Sequence, residues 1–412
     1  MKILLVNKFY YLLGGPETCL FAMKELLEKK GHNIISFSMK HPGNIPSPQK
    51  KYFVEQIDLS DSQSTNNFKK IRTVFKIIYS FEAKRKISEL INDEKPEIAH
   101  FHNIYHQLTP SIITPLYKAG IPIVMTLHDL NLVCLNYQLL NNGRICEACK
   151  RQQFWRAIPA RCVKGSLSKT LVDYIAYQVH RILRLYDKIS LFITPSEFMR
   201  QQHIKMGMEP NRLKTIENFI DITGYEPNYE DEGYILYFGR ISKEKGVETL
   251  VRALSLCPNI PLKITGSGIE ENIIKELVAK LGLKNIEFTG FKRGKDLDEL
   301  IRNSKFTVFP SELRENCPMA ILESFAYGKP VIGTEIGGIP EQIINGKNGF
   351  LFEPGNAGKL AELIRMLYKD RNLIRQMGME ARKTVEIKYS SERHYAQLMA
   401  VYDDLLNRNG RK

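Results

Sequence analysis

The strongest constraint in this sequence is an alternation that begins at the first residues and starts again past the middle. Ile3–Asn7 reads as a strand, Glu17–Lys30 as an amphipathic helix stopped by Gly31, and Asn33–Ser38 as a second strand. Ile98–His102, Pro122–Leu127 and Leu191–Pro195 are further short apolar runs of the same kind. Continuous apolar strands separated by helices predict a parallel sheet covered on both faces. Residues 219–233 hold Asp, Glu, Asn, Gly and Pro with little apolar periodicity and read as a linker. Tyr234–Phe238 then opens a second series, continued by Pro261–Thr265, Ile286–Thr289, Phe306–Pro310, Pro330–Gly333 and Gly349–Phe352. The expected architecture is α/β, with two Rossmann-like, doubly wound domains at 1–218 and 219–391. Ligands of such sheets bind outside the carboxyl ends of the strands, here in a cleft. The final helical stretch, Ser391–Asn407, has no strand after it and could cap either half; residues 392–412 packing back on the first domain is one expectation.

A chain of 412 residues exceeds one ordinary core. Its 43% hydrophobic and 25% charged content fits a soluble globular protein. No apolar run reaches the ~18–20 residues that span a bilayer. Asn7 and Lys8 interrupt the run Lys2-Ile3-Leu4-Leu5-Val6 and no small-residue cleavage site follows, so a buried first strand is favoured over a leader and a cytoplasmic location is expected. Asp58–Asn67 reads as a polar loop. The net charge of +14 is unevenly spread: residues 1–218 hold 31 Lys and Arg against 18 Asp and Glu, a net of +13, which leaves +1 for the rest. An anionic partner of the first half is implied. Lys69-Lys70-Ile-Arg72-Thr-Val-Phe-Lys76 interleaves cations with apolar residues at helical spacing, followed by Lys84-Arg85-Lys86. Such a helix can lie on anionic lipid at the inner face of the cytoplasmic membrane, or pack on the first domain with a solvated face.

The densest chemistry runs from Glu315 through Asn316, Cys317, Pro318, Met319 and Ala320 to Glu323, then Gly-Lys-Pro-Val-Ile-Gly and Gly337-Gly338-Ile339-Pro340-Glu341. Pro318 sits where a helix should begin. The backbone N–H groups of Met319, Ala320 and Ile321 would then point forward as an anion site suited to a diphosphate. Glu315 and Glu323 flank it as acceptors for sugar hydroxyls, unless both are solvated helix-end charges. Gly14-Gly15-Pro16-Glu17 forms a second strand-to-helix turn that admits a ligand close to the backbone. Phe238-Gly239-Arg240 and Lys245-Gly246 place two cations after the first strand of the second half, where a guanidinium can grip a phosphate with two N–H groups. His128 ends a strand of the first half, and His100, His102 and His106 crowd the end of another. Thr265-Gly266 and Thr289-Gly290-Phe291 end two strands of the second half.

In this order and combination the motifs resemble the donor-site signature of family 4 retaining glycosyltransferases, the glycosyl transferases group 1, which have the GT-B fold. The resemblance covers nearly the whole chain. It implies a nucleoside-diphosphate sugar as donor, a hexosyl group as cargo and no metal needed for catalysis. Arg240 and Lys245 would neutralise the departing diphosphate, Glu315 would hold the sugar and Glu323 the ribose. Gly14 and Gly15 would meet the diphosphate, with Gly266, Gly290 and Phe291 meeting phosphate and base. His128 would lie beside sugar and acceptor. Asn316 departs from the glycine common at that place, which leaves the sugar open. A saccharide or polyprenyl-linked acceptor in surface polysaccharide synthesis is the implied partner.

Cys134, Cys146, Cys149 and Cys162 form a C-x11-C-x2-C-x12-C pattern. A structural zinc site, unpaired thiols and redox work all remain open from the spacing. Asp296-Leu-Asp298 imitates a metal-binding Asp-x-Asp but opens a predicted helix, where acids suit the dipole. A sugar-nucleotide epimerase of the same fold is an alternative activity. A nucleic-acid-binding protein is disfavoured because the aromatic-plus-basic strand pattern is missing. A dehydrogenase is disfavoured because no Gly-x-Gly-x-x-Gly opens the first helix.

Overall fold

Both apolar series form parallel six-stranded sheets in the computed structural model, which describes residues 1–57, 67–141 and 144–409. The chain divides into two units, Met1–Ile216 with the segment from Tyr395, and Glu217–His394.

The first unit runs β1 (Lys2–Val6), α1 (Gly15–Lys29), β2 (Asn33–Phe37), α2 (Asn67–Ile78), α3 (Phe81–Glu94), β3 (Ile98–Phe101), α4 (Ile113–Lys118) and β4 (Ile123–Thr126). A short hairpin of β5 (Leu140–Asn141) and β6 (Arg144–Ile145) follows, then α5 (Leu167–Ile182), β7 (Leu191–Thr194), α6 (Glu197–Lys205) and β8 (Leu213–Thr215). The sheet order is β2-β1-β3-β4-β7-β8. Ile3, Leu4 and Val6 have no exposed surface, and β3 and β4 are buried along their length, because helices cover both faces. The edge strand β8 was not legible as an apolar run: it has one neighbour, and of its three residues Leu213 alone is buried. The polar loop expected at Asp58–Asn67 lies outside the described residues up to 66, and Asn67 opens α2.

The second unit runs β9 (Ile235–Phe238), α7 (Val247–Ser255), β10 (Leu262–Thr265), α8 (Glu271–Lys280), β11 (Ile286–Gly290), α9 (Lys295–Arg302), β12 (Thr307–Phe309) and α10 (Met319–Ala326). It continues through β13 (Val331–Thr334), α11 (Ile339–Gln342), β14 (Gly349–Phe352), α12 (Ala357–Lys369) and α13 (Arg371–Ile387). Its sheet order is β11-β10-β9-β12-β13-β14. Ile235, Leu250, Ile264, Phe306, Ile332 and Leu360 are among the side chains of its main core. Residues 219–233 form no regular element, yet they are no loose tether. Phe219 and Ile220 are buried, and the Ile220 N–H donates to the Tyr389 carbonyl at 3.0 Å. Local composition does not show such long-range pairing. The last helix, α14 (Ser391–Asn409), joins the first unit from Tyr395 onward. There the Tyr402 hydroxyl meets His100 Nδ1 at 2.6 Å and the Tyr395 hydroxyl meets His32 Nε2 at 2.9 Å.

Candidate functional site

In each sheet the strand order turns back at one point, between β1 and β3 in the first unit and between β9 and β12 in the second. Loops leaving neighbouring strands diverge there and open a crevice at the carboxyl ends. In the second unit the loop after β9 carries Arg240 and Lys245, and the loop after β12 carries Ser311 through Pro318. The two are tied together: Lys245 Nζ lies 2.5 Å from Glu315 Oε1, and Ser311 Oγ donates to the same oxygen at 2.9 Å. The Glu312 N–H reaches the Glu244 carbonyl at 2.8 Å. The lysine and glutamate predicted as separate donor ligands therefore meet as a half-buried ion pair across the switch point. Arg240 is exposed beside them.

A third loop, after β13, locks Glu315 from behind. The Gly338 N–H donates to the Glu315 carbonyl at 2.8 Å, and Gly337 leaves no room for a Cβ, which would come within 2.4 Å of that oxygen. The helix expected at Pro318 begins one residue later: Pro318 is extended at ψ 124° and occupies the N-cap of α10. Met319, Ala320 and Ile321 are its first three residues, so their N–H groups lead the helix as the anion-site argument requires. Glu323 lies in the second turn. Burial, with Asp298 nearby, pushes its carboxyl up to about 7. Asp296 and Asp298 sit in the first turn of α9, where the dipole favours them.

The glycines at the strand ends differ in their reasons. A Cβ on Gly266 would lie 1.8 Å from the Gly239 carbonyl oxygen, so the bare backbone lets the loops after β9 and β10 pack. Gly290 takes φ +72° and accepts from the Gly266 N–H at 2.9 Å, and Phe291 beyond it is 66% exposed. In the first unit, Gly14 is the N-cap of α1 in extended backbone and Gly15 opens the helix. A Cβ at Gly15 would meet nothing within 4 Å. The fold does not require glycine there, whereas close approach of a ligand to the helix N-terminus would.

The first unit also gathers its histidines, as strand-end crowding suggested. His102 Nδ1 and His128 Nε2 are 2.7 Å apart with stacked rings, and His100 stacks on His102 with ring centroids 4.9 Å apart. His100 is itself a core residue, bonded to Thr126 Oγ1 at 2.7 Å and to Tyr402. Desolvation holds His128 and His106 down at about 4, so both are neutral near pH 7. Two partners escaped the sequence reading. Asn7 links the loops after β1 and β3 by accepting from the Asn103 N–H at 3.0 Å and donating to the buried Glu17 at 3.2 Å. Ser311 orients Glu315. The signal available for each was its place as the first or second residue past a strand.

The four cysteines do converge, lining one small cavity with Leu139, Leu140 and Ala157. The expected structural zinc is not supported. Among the described residues no group of three or more His, Cys, Asp or Glu is arranged to hold a metal. Cys134 and Cys149 pack in the hydrophobic core, and the Cys134 thiol is turned to Asn136 Oδ1 at 2.9 Å. All four are free thiols, and burial pushes Cys149 up to about 12.

Comparison with known proteins places this geometry. Residues 221–384 match the model of Glycosyl transferases group 1 and residues 13–223 that of Glycosyltransferase Family 4. N-acetyl-alpha-D-glucosaminyl L-malate synthase of Bacillus anthracis is 26% identical over 352 residues, 81% of this chain and 82% of that one. The capsular polysaccharide biosynthesis glycosyltransferase CapM of Staphylococcus aureus is 28% identical over 55% of this chain and 66% of its own. Among solved structures, sucrose-phosphate synthase from Thermosynechococcus elongatus aligns over 99% of both chains at a TM-score of 0.72 and 17% identity. Anabaena Alr3699/HepE in complex with UDP aligns over 98% of this chain and 100% of its own at 0.66 and 19%. These likenesses establish the fold as GT-B. With a family match over residues 13–223, more than half of its length, the chain belongs to glycosyltransferase family 4.

Proposed function

We propose that this glycosyltransferase moves a hexosyl unit from a nucleoside-diphosphate sugar, with retention at the anomeric carbon, to a saccharide or lipid-linked acceptor in surface polysaccharide synthesis. The observation that carries the reading is the Lys245–Glu315 pair at the switch point of the second unit, with the α10 N-terminus leading from the same loop. Diphosphate binding would draw Lys245 from Glu315 toward phosphate oxygen and release the carboxylate to the sugar hydroxyls. Arg240 would add a bidentate contact. Charge developing on the departing diphosphate then meets two cations and a helix N-terminus, so the protein itself supplies the stabilisation. Glu323 would take the ribose, Asn316 and Ala320 the donor backbone side, and neutral His128, held by His102, would position the acceptor.

Relatives support the donor and acceptor classes: one is named for capsular polysaccharide biosynthesis, and a structural neighbour was solved with UDP-glucose. The test is product formation by mass spectrometry across a panel of UDP-, GDP- and TDP-sugars with a membrane-lipid acceptor fraction. Glu315→Ala and Arg240→Ala are each expected to lower turnover by about 100-fold or more, the scale of losing a transition-state contact. Near-normal turnover in both variants would sink the mechanism.

A further inference from the structure

The outward faces of α2 and α5 are apolar, which the transfer reaction does not explain. On α5, Leu171, Ile175 and Ile182 are 42%, 41% and 75% exposed, while Thr170, Ala176 and His180 turn inward. Their spacing of four and seven residues puts them on one side of the helix. α2 packs against α5 and shows Ile71 and Phe75 at 55% and 67% exposure, with Ile77 buried on its other side. His180 Nε2 meets the Ile78 carbonyl at 2.7 Å and so fixes the ends of the two helices together. A helix on a soluble surface keeps its outer face polar, and adjoining apolar stripes mark an interaction surface.

Charge identifies the occupant. The sequence of α2 holds Lys69, Lys70, Arg72 and Lys76 and no acid; the side chains of Lys69 and Lys70 lie outside the described residues. Lys164, Lys169 and Arg181 accompany α5 against Asp173, while Arg184 is paired with Asp187 at 2.7 Å. Lys84-Arg85-Lys86, which the sequence offered as part of the same surface, is partly engaged elsewhere: Arg85 pairs with Glu89, and Lys86 donates to the Phe53 carbonyl. A second copy docking face to face would set this cationic surface against itself, because a two-fold interface presents the same patch from both sides. Anionic lipid satisfies both features at once.

We infer that the α2–α5 face docks on an anionic bilayer, its apolar residues entering the headgroup region and the α2 cations meeting lipid phosphates. A cavity lined by Ile77 of α2, Tyr177 and His180 of α5, and His106 and Asn131 from the loops past β3 and β4 lies behind this face. A lipid-linked acceptor would thereby be met at the membrane. The inference goes beyond the transfer reading and is tested without catalysis.

Flotation with vesicles of phosphatidylglycerol and phosphatidylcholine, against phosphatidylcholine alone, measures the partition. Binding is expected on the anionic vesicles and is expected to weaken with salt. Leu171→Ser/Ile175→Ser/Ile182→Ser and Arg72→Glu/Lys76→Glu should each lower the partition by about tenfold or more, with unchanged circular dichroism because these side chains point outward. Equal binding to neutral vesicles, or indifference to both variants, overturns the inference. So does a dimer in sedimentation that the serine variant dissolves, which would assign the face to a second copy. Either failure leaves the donor-site reading standing.

Discussion

Replacing Gly337 by alanine tests whether the loop behind Glu315 positions the carboxylate proposed to hold the donor sugar. Gly337 takes φ +64°, and a Cβ there would lie 2.4 Å from the Glu315 carbonyl oxygen and 2.8 Å from its nitrogen. Reaching even a tight contact requires a retreat of about 0.6–1 Å, and both partners are backbone, so no side chain can rotate away. The left-handed conformation costs an L-residue about 1–2 kcal/mol, and overpacking adds about 1–3 kcal/mol. Gly346→Ala is the matched control: φ is +79°, with nothing within 4 Å of the added methyl, so it carries the conformational cost alone. At about 2–4 °C per kcal/mol for a unit of this size, the control should lose about 2–8 °C of Tm and Gly337→Ala more. Turnover separates the two further. The Gly338 bond couples the loop to Glu315, whose carboxylate is held 2.5 Å from Lys245, so displacement should cost Gly337→Ala about 10–100-fold in kcat. The control should keep normal turnover. Thermal unfolding and saturating-donor kinetics on both proteins give the readout. Equal turnover in the two variants would refute the positioning argument.

Two further outcomes follow from buried ionisable groups. Glu323 has its carboxyl raised to about 7, so between its ordinary value and that point the folded protein binds more protons than the unfolded chain, and stability falls as pH rises through the window. Glu323→Gln should flatten that slope in denaturant melts from pH 5 to 8, and an unchanged slope would show that the carboxyl is well solvated. His128 is depressed to about 4, so its contribution to stability is present above its ordinary value and is lost as pH falls toward 4. Its ring resonances should stay flat from pH 8 to about 5.5. A midpoint near the ordinary histidine value would mean that water reaches the ring.

Much of the fold was legible because buried parallel strands carry apolar runs regardless of tertiary detail. Ile235-Leu-Tyr-Phe238 is buried at every position and stood out from sequence alone. β8 did not, since an edge strand buries little, and neither did the hairpin of β5 and β6, which is too short to show a period. At 219–233 the sequence showed no regular element but not the anchoring, which is by backbone pairing to Tyr389, Tyr327 and Asn303 and leaves no mark on side-chain composition. At the site, residue types were readable but partnerships were not. Lys245 and Glu315 are seventy positions apart in sequence, and their pairing depends on β9 and β12 being neighbours. His102 and His128 likewise meet because β3 and β4 pair. The cysteine pattern met the same limit. Spacing of cysteines reports how many thiols can gather, but whether they form a ligand shell depends on side-chain directions set by the core around Cys134 and Cys149.

The glycines carry this distinction furthest, because a glycine motif looks the same whether the fold or a ligand requires it. Gly266 and Gly337 are filled from behind by backbone at 1.8 and 2.4 Å, so the fold alone accounts for them, whatever binds nearby. Gly15 has helical backbone and open space, so neither strain nor packing accounts for it. The α1 N-terminus is partly engaged within the unit, since the Glu17 carboxylate accepts from the backbone N–H groups of Glu17 and Gly14, and Gly14 in the N-cap is extended with nothing nearer its Cβ position than Glu17 Oε2 at 3.9 Å. Of the glycines singled out by resemblance, Gly14 and Gly15 are therefore the two that neither strain nor packing explains, and they lie in the same unit as the His102–His128 pair.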